Sequence, residues 1–147
     1  MNQQFIIIRP QELMERAARF KKEDCRLVQI LCTRVDEGYE LTYSFDRNYF
    51  LYHLRLTVPL GGSVMSVTSL FWYAFVWENE IHDLFGLDIL FIAPEVDYRG
   101  HFFHLAEKTP WQDLQNAQHA SQAFKVNLRG GLGIDASVKP QDEGKGE

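Results

Sequence analysis

Apolar and polar positions follow recognisable periods along the first ninety residues, and the period changes several times. Gln4–Arg9 (QFIIIR) reads as a short strand ended by Pro10. From Pro10 to Lys22 the apolar positions Leu13, Met14, Ala17, Ala18 and Phe20 recur near helical spacing, and Lys21 and Lys22 complement the dipole at the helix C-terminus. Cys25–Val35 is a strand with partial alternation. Asp36-Glu37-Gly38 is turn chemistry, and Tyr39–Asp46 alternates well enough to be the return strand of a hairpin. Tyr49–Pro59 predicts a further strand, broken by Gly61-Gly62, with a short strand over Ser63–Val67 after it. Thr68 or Ser69 then caps a helix expected to run to about Leu84 and to stop at Gly86.

This β-α-β-β-β-α order predicts an α+β fold: an antiparallel or mixed sheet of about four strands, two main helices on one face, and an extended C-terminal segment. Beyond Gly86 the signals weaken. Asp88–Ala93 is expected to be extended, Glu95–His104 an ordered loop, and Trp111–Ala123 to contain a short helix. The expected organisation is one α+β domain over 1–110, a helix-and-loop extension over 111–135, and a polar tail over 136–147 that cannot offset its ordering entropy by burial.

The helix beginning near Leu70 has two characters. At about 100° per residue, Leu70, Tyr73, Ala74, Trp77, Ile81, Leu84 and Phe85 form one stripe for the chain's own core. Phe71, Trp72, Phe75 and Val76 fall outside it, so the first half of the helix is apolar all round. Either another subunit covers this second face or the C-terminal half of the chain does. The second half carries Glu78, Glu80, His82 and Asp83. Glu78 and His82 are spaced to touch, as are Glu80 and Asp83. With His101 and His104 they outline a mixed His and carboxylate metal site, although Glu78-x-x-x-His82 is not the two-histidine zincin pattern. Acids near a helix C-terminus are poorly placed electrostatically, which points to basic partners across an interface or to a solvated face.

Composition narrows the field. Hydrophobic content of 46% and charged content of 24% over 147 residues fit a folded globular chain with one core. The net charge of −5 and the lack of a basic block argue against a nucleic-acid partner. The amino-terminal stretch lacks the positive leader and long apolar run of a signal peptide, and Leu70–Trp77 is far short of the roughly 18 residues that span a bilayer. Cys25 and Cys32, seven apart, are expected on opposite faces of one extended segment, and two thiols do not suffice for an iron–sulfur cluster. Gly131-Leu132-Gly133-Ile134-Asp135-Ala136 matches a dinucleotide fingerprint in letters but has no following helix, and reads as a turn.

Trp77-Glu78-Asn79-Glu80-Ile81-His82-Asp83-Leu84-Phe85-Gly86 resembles the signature of the 30-kDa subunit family of respiratory complex I. That signature is a Glu-Arg-Glu, two variable residues, an acid, two apolar residues and a glycine. Asn79 stands where the family has arginine. Downstream, Ala93-Pro94-Glu95-Val96-Asp97-Tyr98-Arg99-Gly100 replaces the paired-arginine segment of full complex I subunits. This variant is more similar to the homologous small subunit of Ech-type, membrane-bound energy-converting nickel–iron hydrogenases. The resemblance implies a non-catalytic subunit without catalytic, cofactor-binding or metal-binding residues of its own. It would dock on a large catalytic subunit and an iron–sulfur small subunit that hold the nickel–iron centre and clusters. The whole would sit on the cytoplasmic face of the membrane and couple ferredoxin-linked electron transfer to ion translocation. The implied interface residues are Phe71, Trp72, Phe75, Glu78, Glu80, Asp83, Gly86 and Arg99. The equivalent subunit of a complex I-like NADH/quinone or ferredoxin dehydrogenase is the near alternative. A free-standing metal-dependent enzyme using Glu78, His82, Asp83, His101 and His104 is the alternative of a different class.

Overall fold

The computed structural model describes residues 2–100 and 107–113. Its frame is a four-stranded mixed sheet in the order β1-β4-β3-β2. The strands are β1 (Asn2–Ile7), β2 (Arg26–Val35), β3 (Gly38–Arg47) and β4 (Phe50–Pro59). The β2–β3 and β3–β4 pairs are antiparallel, and β1 lies parallel to β4. The α+β expectation holds. A two-residue loop, Asp36-Glu37, joins β2 to β3 and delivers Gly38 at a φ of 153°. A side chain there would strike the Val58 carbonyl, so glycine fixes how closely β3 approaches β4.

Alternation sorts the sheet into two faces. Tyr39, Leu41, Tyr43 and Phe45 of β3 and Leu54, Leu56 and Val58 of β4 point into the core. Above them lie helix α1 (Leu13–Lys22), through Leu13, Ala17 and Phe20, and helix α2 (Phe75–Phe85), through Ile81. The Phe20 ring packs on Phe45 at 4.8 Å and on Tyr52 at 5.5 Å. On the other face Phe5, Ile7 and Leu31 are exposed. A single buried face of this kind is what produces the apolar/polar alternation in the strands.

Three details depart from the sequence reading. A bulge between Leu27 and Gln29 shifts the parity of β2, so Cys25 and Cys32 both enter the same core instead of opposite faces. Pro10–Glu12 forms a 3-10 turn, with α1 starting only at Leu13. Most consequentially, neither Thr68 nor Ser69 caps α2. The chain turns at Val67–Phe71, makes a 3-10 turn over Trp72–Ala74, and enters α2 at Phe75. The Thr68 hydroxyl is engaged elsewhere, as shown below. After α2 a short strand β6 (Asp88–Leu90) pairs in parallel with β5 (Ser63–Met65), and a 3-10 turn follows at Pro94–Val96. The expected helix beyond Asp113, the polar tail, His101 and His104 lie outside the described residues.

Candidate functional site

Three polar signature residues of α2, Glu78, Asn79 and Asp83, are buried and turn toward the segments before and after the helix. Glu78 is fully buried; its Oε2 accepts the Ser66 hydroxyl at 2.6 Å and its Oε1 the Val67 N–H at 2.8 Å. Ser66 has one proton and gives it to Glu78, so the Thr68 hydroxyl, 2.7 Å away, donates to Ser66 Oγ. Thr68 Oγ1 in turn accepts the Ala93 N–H at 3.0 Å. A chain of four groups thus ties the end of β5 to the segment after β6. Burial pushes the Glu78 carboxyl above its ordinary value of 4.5, while the Ser66 and Val67 hydrogen bonds pull the other way.

Asn79, next along the helix, is also buried and saturates its amide. Its Nδ2 donates to the Phe75 and Val96 carbonyls at 2.7 and 2.9 Å, and its Oδ1 accepts the Tyr98 N–H at 2.9 Å. One turn on, Asp83 is fully buried; its Oδ1 accepts the Gly100 N–H at 2.9 Å and lies 2.7 Å from His82 Nδ1. Two side chains on one helix, Asn79 and Asp83, therefore hold the backbone of 93–100 against α2 at Val96, Tyr98 and Gly100, while Glu78 reaches Ala93 only through Ser66 and Thr68. Arg99 closes the strap from outside, donating to the Ile89 carbonyl at 2.7 Å and to Asp97 Oδ1 at 3.1 Å. At the helix end Gly86 takes φ 69°, its N–H bonding the His82 carbonyl, and Tyr39 donates its hydroxyl to the Phe85 carbonyl at 2.8 Å. Gly86 supplies the left-handed stop that its place after Phe85 predicts.

These positions correct part of the interface expected from sequence. Glu78 and Asp83 are not surface acids awaiting basic partners; both are enclosed and bonded to backbone amides of their own chain. Phe71 is not on an outer face either. Because the helix starts about five residues late, at Phe75, Phe71 precedes it and drops into the core against Phe45, ring centroids 5.5 Å apart. Trp72 and Val76 do face outward, 51% and 49% exposed, with Tyr73 41% exposed beside them. Trp72 contacts the half-buried Phe75 ring at 6.3 Å, and Phe75 meets the exposed Tyr98 edge-on at 6.1 Å, making a continuous aromatic ridge. Glu80 sits on the solvent side of α2, half-exposed, and has no hydrogen bond or ion pair among the described residues.

Ser66, Thr68 and the clamping role of Asn79 were not read from sequence. The signal available was the Ser-x-Thr pair twelve and ten residues before Glu78, too short a pattern to name its partner. For metal chemistry, no three His, Cys, Asp or Glu side chains among the described residues stand together as ligands. Burial pushes the Cys32 thiol up to about 12 and raises that of Cys25 as well, so neither is poised as a thiolate ligand.

Comparison with known proteins gives a consistent picture. No curated protein matches the chain by sequence. Among solved structures it is similar to a chain of the membrane-bound sulfane sulfur reductase, an archaeal respiratory membrane complex, with a TM-score of 0.58 at 15% identity, over 95% of this chain and 86% of that one. At that identity the likeness is one of fold. The family model described as respiratory-chain NADH dehydrogenase, 30 Kd subunit, matches residues 6–90, more than half of the sequence, from the end of β1 through β6. With its signature helix and the sheet beneath it accounted for, this chain belongs to the 30-kDa subunit family of the respiratory-chain NADH dehydrogenase.

Proposed function

We propose that the chain is a non-catalytic assembly subunit in the hydrophilic arm of a membrane-bound respiratory complex, of the energy-converting nickel–iron hydrogenase kind. It docks on the large catalytic subunit and the iron–sulfur small subunit, which hold the nickel–iron centre and the clusters. The observation that carries this reading is the ridge of Trp72, Phe75, Val76 and Tyr98, an apolar patch of the composition found at the centres of protein interfaces. Beside it Glu80 offers an uncommitted charge. Meanwhile Glu78 and Asp83, the acids best suited by type to chemistry, serve the chain's own backbone, which argues against the free-standing metalloenzyme. No helix among the described residues is long and apolar enough to cross a membrane; in the proposed complex, other subunits provide the attachment.

The hydrogenase assignment draws on the Asp97-Tyr98-Arg99-Gly100 segment, while the family's description favours the near alternative, a complex I-like dehydrogenase. Affinity capture of the tagged chain from its own membranes separates the two. A captured large subunit with paired CxxC motifs and stoichiometric nickel supports the hydrogenase; a large subunit without them gives the dehydrogenase. A chain that purifies alone, with one tightly bound metal ion per molecule, overturns the assembly reading.

A further inference from the structure

The ridge on α2 is one side of the molecule; the opposite edge of the sheet carries a second feature. Strand β1 pairs only with β4, and no other element lies along its outer side among the described residues. Ile8 N–H donates to the Arg55 carbonyl at 2.9 Å. By the alternation of a parallel ladder, Gln4 and Ile6 also turn their backbone groups to β4, and Gln3, Phe5 and Ile7 present theirs outward. Among the described residues nothing protects this edge. Asn2–Ile7 contains no lysine, proline, bulge or charge, and Ile7 is 74% exposed. Natural edge strands left in this state are templates for another strand.

A groove of about 200 Å³ lies directly beside the edge, between β1 and α1. Ile6, Phe20, Tyr52 and Leu54 give it apolar walls, with Gln4 at the strand. Its charged members are Arg16, Arg19 and Glu23, a net positive set on a chain whose total is −5. Arg19 is paired to Glu23 at 2.9 Å, whereas Arg16 reaches Glu12 only at 3.7 Å. An open strand edge next to an apolar groove is the arrangement by which extended peptides are bound: main-chain hydrogen bonds give affinity, and every second side chain enters the groove.

We infer that the β1 edge is a second docking site, taking an extended segment of a partner subunit as a fifth strand, with apolar side chains in the α1/β1 groove and acidic neighbours at Arg16. The inference rests on the assembly reading only in requiring that a partner chain exist. Hydrogen exchange on the tagged chain tests it, comparing the captured complex with the chain alone. Expected is slowing of the Gln3, Phe5 and Ile7 amides by about tenfold or more in the complex. The Gln3→Pro variant removes an outward N–H that β4 does not use, so the fold persists while that slowing is lost. Arg16→Glu lowers recovery of the partner. A complex that forms with these amides exchanging at the free rate overturns the β1 site and leaves the assembly reading standing. Slowing that survives Gln3→Pro overturns strand addition, and unchanged recovery with Arg16→Glu overturns the acidic occupant. A chain captured alone overturns both readings.

Discussion

A carboxylate sealed from water with only a hydroxyl and an amide to hold it is an unusual thing for a helix to carry, and Glu78 is such a group. Its pKa is raised on folding, so the folded chain holds the proton more tightly than the unfolded one. Stability is therefore fully present below the ordinary value of 4.5 and falls as pH rises through the folded pKa. Glu78→Gln keeps the shape and removes the charge, so urea midpoints measured across this range should vary less with pH than in the parent chain. Asn79 acts without charge. Asn79→Ala removes three bonds, to the Phe75 and Val96 carbonyls and from the Tyr98 N–H, and leaves that turn only its own 3.1 Å bond from the Tyr98 N–H to the Val96 carbonyl, a loss of about 1–3 kcal/mol, with faster amide exchange confined to 96–100. Neither role could be read from the chain alone. The letters of the signature were plain, but a buried acid and an interfacial acid have the same letter. What decides between them is Ser66, Val67 and Gly100, distant in sequence and contributing mostly backbone.

Elements were far more legible, and the exceptions have physical causes. Strands β2, β3 and β4 fall within a residue or two of their expected bounds because each has one buried face, which writes a period of two into the sequence. Strand β5 and the extended stretch at β6 were both expected, but their parallel pairing was not, because three-residue strands hold too few positions to show a register. Helix α2 was read as too long at its start because LFWYAFVW is apolar throughout and so carries no phase. The missing Thr68 cap displaces the apparent helix start by several residues, moves Phe71 from an outer face to the core, and leaves Trp72 and Val76 as the true outward pair. The end of α2 was clear, since Phe85-Gly86 is a stop signal by itself. Gly86→Ala, at φ 69°, should cost about 1–2 kcal/mol, seen as a lower urea midpoint with an unchanged slope.

Taken whole, the molecule divides its signature helix between two tasks. On the inner side Asn79 and Asp83 fasten the 93–100 strap, and Glu78 fastens the Ser66–Val67 turn. The outer side, Trp72, Phe75 and Val76, with Glu80 and the strap's own Tyr98, is the face that the proposed assembly role gives to another chain. That division explains how one helix can be greasy and acidic at once. It also ties the two sides together, since Asn79 holds the backbone of Tyr98, whose ring stands in the ridge. A charge reversal at Glu80 should weaken recovery of the large subunit while the chain's own melting curve stays where it was. The most direct test places a charge in the ridge itself. Trp72→Glu and Val76→Glu, each at a position about half exposed, should leave the melting temperature of the isolated chain within the narrow range of surface substitutions, roughly 0.5 kcal/mol in stability. Measured by affinity capture from membranes, the same variants should recover the large catalytic subunit at about a tenth of the parent level or less, as expected when a central contact is lost. Full recovery with both variants would contradict the account, since the ridge would then face no partner.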